Sequence, residues 1–301
     1  MPSHLSPLAA ALLLAGGHLT SAEMQVMTVG DSITAVFIYQ PRLQALLEAD
    51  GHRVTFVGRE GTGDKRHEGY SGRGISTFIE ALPLPAGRVQ PITAALDAAW
   101  PSAPSGAVPV VLVHIGINNM DHGLGQKGLA GAPLKPDGWP LAAKLAERAA
   151  SGSWLDALGP VEGLPRSAWL RLRVEAFVDL VLAHPSRPRL VVAKLLPIAK
   201  GNSEHQAHND NCCERIKEWN ALWATKIAGL SAPDAARVAL VDCYTPAEAK
   251  RGYGPVPATS FWGDAGSQAG DWVHPNSADG GGYSLMASEF HAGITAVLGR
   301  D

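Results

Sequence analysis

Cysteine, charged runs and long apolar runs are all scarce in this chain of 301 residues. Its three cysteines cannot form a disulfide framework, because an odd number leaves one thiol over and the adjacent Cys212 and Cys213 rarely bond each other. The formal net charge is −3 without a long basic or acidic run, which argues against nucleic acid or an anionic membrane as a partner. We expect a small-molecule or polysaccharide substrate and a monomeric protein.

The apolar segment near the N-terminus, residues 8–15, is shorter than the about 20 residues that span a bilayer. It is followed by Thr-Ser-Ala, small residues of the kind that signal peptidase accepts. Residues 1–22 are therefore predicted to be a signal peptide of a secreted or periplasmic protein. The alternative is an N-terminal extension that stays attached, since no Lys or Arg precedes the apolar segment.

Apolar residues make up 46% of the chain, which is ample material for a core. Strand-like apolar runs alternate with helix-like segments. The predicted strands are 23–30, 52–58, 108–116, 189–198 and 237–244, and the predicted helices are 39–51, 87–100, 168–184, 211–229 and 279–298. This alternation predicts one α/β domain over residues 23–301, in which helices wrap a parallel sheet.

One segment, at about residues 120–167, interrupts the alternation. It is rich in Gly, Pro and Ala and longer than an ordinary connection, which indicates an insertion after the third strand. Two interpretations stay open: a lid beside a site at that strand's end, or a surface excursion without a role.

Polar motifs follow the predicted strands. "GDS" (30–32) follows the first strand, "HEGYSGRG" (67–74) the second and "GINN" (116–119) the third, while "DWVHPN" (271–276) precedes the last helix. Because ligands bind beyond the carboxyl ends of strands in open parallel sheets, these four motifs are expected to meet at one rim.

Each motif has a catalytic interpretation and a structural one. Ser32, at the end of a strand, could be a nucleophile or a helix cap. Asp271 lies three positions before His274, so its carboxylate could orient the imidazole as a base; the pair could also be a capped turn or half of a metal site. Gly72 and Asn118 could donate to an oxyanion or serve as turn residues.

Taken together and in this order, the four motifs resemble the blocks of the SGNH or GDSL hydrolase superfamily. The resemblance implies a three-layer α/β/α sandwich with a five-stranded parallel sheet, and a carboxylic ester hydrolase that needs no cofactor and no metal. It makes Ser32 the nucleophile, His274 the general base and Asp271 the carboxylate that orients it. The N–H groups of Ser32 and Gly72 and the side chain of Asn118 would form the oxyanion hole.

A closer resemblance is carried by "MTVGDSIT", "LLEADGHRVTFVG" and "HEGYSGRG", which are similar to carbohydrate esterase family 3, deacetylases of acetylated xylan and related sugars. It implies hydrolysis of short-chain, acetyl esters on carbohydrate through an acyl-enzyme. The chain departs from the pattern of this family at two places. The family's third block usually ends in Asp where this chain has Asn119, so the hydrogen bonds that support the loop are expected to differ. The insertion that begins at Met120 is not a usual feature of the family.

Other residues near the four motifs have weaker interpretations. Asp31, Tyr70 and Trp272 are candidate substrate contacts, although large aromatic residues are often core packing. A run with His205, His208, Cys212 and Cys213 loosely matches zinc spacing, but its place before a predicted helix favours capping. Two alternative functions remain open: a GDSL lipase, lysophospholipase or thioesterase, and a non-catalytic carbohydrate-binding domain.

Overall fold

A parallel sheet forms the middle layer of the protein, whose structure is a computed structural model. The residues that it describes are 21–79, 91–101, 106–120, 152–198, 206–251, 274–277 and 279–300. The strands are β1 (Glu23–Gly30), β2 (Arg53–Val57), β3 (Glu68–Gly69), β4 (Val108–His114), β5 (Arg189–Ala193) and β6 (Val238–Val241). Their order across the sheet is β2-β1-β4-β5-β6, and the short β3 pairs with the end of β1.

Apolar side chains on both faces place β4 inside the protein. Val110 and Leu112 belong to the core on one side of the sheet, and Val111 and Val113 to the core on the other. A continuous apolar run is typical of a strand that is covered on both faces. β1 and β4 pair in parallel register. The carboxyl ends of the two strands therefore meet at one edge of the sheet.

Helices cover both faces of the sheet. They are α1 (Ser32–Ala35), α2 (Tyr39–Ala49), α3 (Ile92–Ala99), α4 (Ile117–Met120), α5 (Arg166–Leu182), α6 (Gln206–Ala228), α7 (Ala232–Ala235), α8 (Tyr244–Glu248) and α9 (Gly282–Leu298). Helices α2 and α9 pack on one face, where the rings of Tyr39 and Phe290 stack 5.4 Å apart. Helices α3, α5 and α6 cover the other face. Among the described helices, none is both long and apolar enough to cross a membrane.

The predicted fold class, a three-layer α/β/α sandwich with five parallel strands, is confirmed apart from the unpredicted two-residue β3. The third, fourth and fifth predicted strands end earlier than expected, at His114, Ala193 and Val241. Helix α6 begins earlier than expected, at Gln206. Part of the predicted helix 87–100 lies outside the described residues, and the rest forms α3.

The C-terminal end of the predicted insertion lies within the described residues. The Glu218 carboxylate, on α6, accepts hydrogen bonds from the backbone N–H groups of Trp154 at 2.7 Å and Leu155 at 3.0 Å, and from the Ser153 hydroxyl. Residues 153–155 are thereby fixed to α6. Residues 121–151 lie outside the described residues, so both interpretations of the insertion stay predictions.

The N-terminal end of the described chain makes contacts of its own. The Ser21 hydroxyl donates to the carbonyl of Gly51 at 2.8 Å, and the Ala22 N–H donates to Nδ1 of His52 at 3.2 Å. The rest of the predicted signal peptide, residues 1–20, lies outside the described residues. Its cleavage stays a prediction.

Candidate active site

Ser32 lies where β1 turns into the short helix α1. The Asp31 side chain provides the cap, because its Oδ1 accepts a hydrogen bond from the Ile33 N–H at 3.0 Å. Ser32 is the first helical residue and stays partly exposed. The two interpretations of the Gly-Asp-Ser motif are thus divided between two residues, since Asp31 caps the helix and leaves the Ser32 hydroxyl available for chemistry.

The hydroxyl of Ser32 lies against the imidazole of His274. Their Oγ and Nε2 atoms are 2.8 Å apart, within hydrogen-bond distance of a nucleophile and its base. His274 is partly buried and comes from the loop that precedes α9. Asp271 and Trp272 lie outside the described residues, so their predicted roles as orienting carboxylate and substrate contact stay predictions.

The second motif reaches the same edge of the sheet through β3. Glu68 and Gly69 pair with the last two residues of β1, and the Tyr70 N–H donates to the carbonyl of Gly30 at 3.0 Å. The chain then turns through Gly72, which has a φ of 73° and is partly exposed. Glycine suits this left-handed conformation, because it has no Cβ to oppose it.

Asn118 and Asn119 connect the third motif to this turn. The Asn118 side-chain amide donates to the carbonyl of Arg73 at 3.0 Å, which holds it beside Gly72. Asn119 is buried, and its Oδ1 accepts a hydrogen bond from the Ile75 N–H at 3.1 Å. A Cβ on Gly74 would lie 2.6 Å from the Asn119 amide. Asn119 therefore supports the loop through its carbonyl oxygen.

Tyr70 belongs to a buried polar network rather than to an open surface. Its hydroxyl donates to Glu68 Oε2 at 2.7 Å, and Glu68, which has no exposed surface, also accepts from Nη2 of Arg59 at 2.7 Å and from the Arg59 N–H. Burial and the adjacent Glu68 carboxylate raise the pKa of Tyr70. These contacts anchor the start of the Gly72 loop, whereas the predicted substrate contact of Tyr70 stays a prediction.

Two buried titratable groups lie at the carboxyl ends of β1 and β4, the two strands that meet near Ser32. Burial raises the pKa of Asp31 to about 7, while the cap hydrogen bond from Ile33 and the charge of His274 oppose the rise. Asp31 has no exposed surface, which does not favour its predicted contact with substrate. Burial lowers the pKa of His114, at the end of β4, to about 4. Neither ring nitrogen of His114 has a hydrogen-bond partner among the described residues.

A metal site is not formed by the part of the chain that the structure describes. No group of three or more His, Cys, Asp or Glu side chains there is arranged to hold an ion. Cys212, Cys213 and Cys243 are buried free thiols, and Cys213 donates to the carbonyl of Ile198 with its sulfur 3.6 Å from that oxygen. Burial raises the pKa of Cys213 to about 12, as expected of a thiol that takes no part in chemistry at neutral pH.

The sequence predicts that Ser32 and His274 act together, but it does not single out Arg59, Glu68 or His114. Arg59 and Glu68 lie on either side of a glycine-rich turn, with no pattern that marks them as a pair. His114 is the last residue of the apolar strand β4, and a polar residue at that position is a signal in the sequence for a group at the rim of the sheet.

No protein-family model and no curated protein sequence matches this chain. Solved structures do. An extracellular lipase from Streptomyces rimosus is 14% identical, with a TM-score of 0.50 over 88% of this chain and 99% of the other. A member of the lipolytic G-D-S-L family from Veillonella parvula is 15% identical, with a TM-score of 0.47 over 90% and 98%. A carbohydrate acetylesterase from Sinorhizobium meliloti is 14% identical, with a TM-score of 0.44 over 89% and 99%.

At 14% identity, the likeness to the lipase shows a shared fold and nothing finer. That fold is the one implied by the resemblance to SGNH hydrolases, with a parallel sheet between two helical layers.

Proposed function

We propose that this protein is a serine ester hydrolase of the SGNH or GDSL type. The observation that carries the proposal is the pair formed by Ser32 Oγ and His274 Nε2, 2.8 Å apart. A hydroxyl at that distance from an imidazole can lose its proton as it attacks a carbonyl carbon. The pair lies beyond the carboxyl end of β1, where ligands bind in open parallel sheets.

The reaction proceeds through an acyl-enzyme. His274 takes the proton of Ser32 while the Ser32 oxygen attacks the ester carbonyl, and the resulting tetrahedral oxyanion collapses with release of the alcohol, which takes the proton from His274. Water then attacks the acyl-serine, again with His274 as base, and releases the acid. Asp271, three positions before His274, orients the imidazole and stabilises its protonated form.

Three donors stabilise the oxyanion in this proposal: the N–H groups of Ser32 and Gly72 and the side-chain amide of Asn118. Support comes from the contacts of the second and third motifs, since Asn118 is tied to Arg73, the residue after Gly72. A side-chain amide has two N–H groups, so one can hold the loop while the other faces the oxyanion. The neutral donors favour the charge that develops in the transition state.

The proposed substrate is a short-chain ester, in the first place an acetyl ester on carbohydrate. The support is the resemblance of "MTVGDSIT" and "HEGYSGRG" to deacetylases of acetylated sugars. A lipase is the second candidate, because an extracellular lipase has the same fold. We also propose export of the protein, on the apolar segment and Thr-Ser-Ala of residues 1–22.

Acetate release measured side by side on acetylated xylan, acetylated monosaccharides and p-nitrophenyl esters of increasing chain length tests the proposal. We expect release of acetate, loss of activity beyond two or three acyl carbons, and no activity in Ser32→Ala, with an unchanged circular dichroism spectrum as the control. Equal or greater activity on long acyl chains would favour the lipase. Activity retained by Ser32→Ala would overturn the assignment of the nucleophile.

A further inference from the structure

Helix α2 contacts both chain segments that carry the Ser32–His274 pair. On the nucleophile side, the Gln40 side-chain amide donates to the carbonyl of Thr34 at 2.9 Å, and Thr34 lies in α1 two positions after Ser32. Gln40 has no exposed surface. This hydrogen bond joins α2 to the helix that begins with the nucleophile.

On the other side of the pair, Arg42 binds the segment that follows His274. Its Nη1 donates to Asp279 Oδ1 and to Ser284 Oγ, each at 2.7 Å. Its Nη2 donates to the carbonyl of Ser277, three positions after His274. One guanidinium group thus holds the loop after the histidine and the first turn of α9 together.

We propose that Arg42 is a positioning residue for the Ser32–His274 pair, an inference that rests on the proposed function. Helix α2 acts as a rigid spacer, which holds α1 through Gln40 and the loop of His274 through Arg42. The spacer is itself fixed to α9, because Tyr39 stacks on Phe290 and His291 Nε2 lies 2.7 Å from Asp50 Oδ2. Fixing both ends sets the distance between the hydroxyl and the imidazole.

The chemistry of the three acceptors distinguishes this role from an ordinary surface ion pair. The Asp279 side chain is 99% exposed, and exposed ion pairs contribute little because water screens them. The Ser277 carbonyl and the Ser284 hydroxyl are neutral acceptors 7 positions apart, and the planar guanidinium reaches both in one geometry. The important contacts of Arg42 are therefore those with Ser277 and Ser284.

The rate at which a fluorophosphonate probe labels Ser32 measures the pair directly, without the need for an ester substrate to bind. Arg42→Ala should slow labelling about 10- to 100-fold, since small displacements of reacting groups cost rates of that size. Its kcat for p-nitrophenyl acetate should fall in parallel, with KM close to the wild-type value. Arg42→Lys should be intermediate, because an ammonium group reaches fewer of the acceptors.

Two matched variants serve as controls. Asp279→Ala removes only the exposed partner, and Arg171→Ala removes an exposed arginine of α5 on the other face of the sheet. Both should label at the wild-type rate. Urea unfolding must show that each variant is folded under the assay conditions, so that a lower rate reports geometry and not loss of folded protein.

The outcomes separate the inference from the proposed function. A wild-type protein that the probe does not label, or a Ser32→Ala variant that is still labelled, would overturn the proposed function and the inference with it. Labelling that depends on Ser32 but proceeds equally fast in Arg42→Ala and wild type would overturn the role of Arg42 alone. Slow labelling of folded Arg42→Ala, with normal rates in both controls, would support it.

Discussion

The Nε2 atom of His274 lies 2.8 Å from the Oγ atom of Ser32, although 242 positions of sequence separate the two residues. The contact does not arise from the local structure around either residue. The strand that ends at Gly30 places Ser32 at the rim of the sheet, and the loop before α9 places His274 at the same rim. The contact therefore depends on the whole fold.

Asp271→Asn should lower kcat for acetate esters by roughly 10³- to 10⁴-fold, because an amide at this place favours the wrong tautomer of His274 and cannot stabilise its protonated form. KM and the unfolding free energy should change little. Steady-state kinetics on p-nitrophenyl acetate measure the effect. A loss of less than about 10-fold would mean that another group orients the imidazole.

Asn118→Ala should lower kcat by roughly 10²- to 10³-fold, the usual loss when one oxyanion donor is removed. Its neighbour provides a contrast. Asn119→Ala leaves the buried Ile75 N–H without its acceptor and should cost about 1 to 3 kcal/mol of unfolding free energy. Asn119→Asp keeps an acceptor oxygen and should retain most of that stability. An unchanged rate in Asn118→Ala would remove its side chain from the oxyanion hole.

Glu68→Gln should destabilise the protein by roughly 3 kcal/mol, because it breaks a pair in which the carboxylate is fully buried. The low end of the usual range applies, since the Arg59 side chain is 21% exposed. Tyr70→Phe removes one hydrogen bond to the same carboxylate and should cost about 2 kcal/mol. Urea unfolding measures both changes. Equal losses in the two variants would show that the charge of Glu68 is unimportant.

The strands and the place of the four motifs could be predicted because their signals are local. An apolar run such as "VPVVLVH" indicates a strand covered on both faces wherever it occurs, and motifs that follow parallel strands must share one rim. The contacts of Arg42 could not be predicted, since they join α2 to residues 235 or more positions away. Long charged side chains are common on helix surfaces, so nothing in the local sequence distinguishes an arginine that ties two elements together.

The two-residue β3 could not be predicted either, because its local sequence does not resemble that of a strand. Glu68 and Gly69 are neither β-branched nor aromatic, and they lie in a stretch rich in glycine and charge that is typical of a loop. Their pairing with β1 is stabilised from outside the strand, by the contacts of Arg59 and Tyr70 with Glu68. A strand that depends on such tertiary contacts carries no periodic signal of its own.

Asp31 and His114 should give the stability opposite dependences on pH. The pKa of Asp31 is raised by burial to about 7 from 3.8, so the folded state holds the proton more tightly and this group favours folding most below about pH 4. Its contribution is lost as pH rises through 7. The pKa of His114 is lowered to about 4 from 6.5, so the unfolded state binds the proton more tightly. Its contribution is present above about pH 6.5 and is lost as pH falls through 4.

Unfolding free energies in urea at pH 4.5 and pH 8 test both signs with two variants. Asp31→Asn, which keeps an acceptor for the Ile33 N–H, should gain stability relative to wild type at pH 8 compared with pH 4.5, by up to about 3 kcal/mol. His114→Leu should gain relative to wild type at pH 4.5 compared with pH 8, by up to about 3 kcal/mol. Because the two shifts have opposite signs, a general effect of pH on the fold cannot produce both. Shifts of the same sign in both variants would contradict the direction of the pKa shift of one of the two groups, and the absence of a shift in one variant would show that this group titrates in the folded protein at its ordinary pKa.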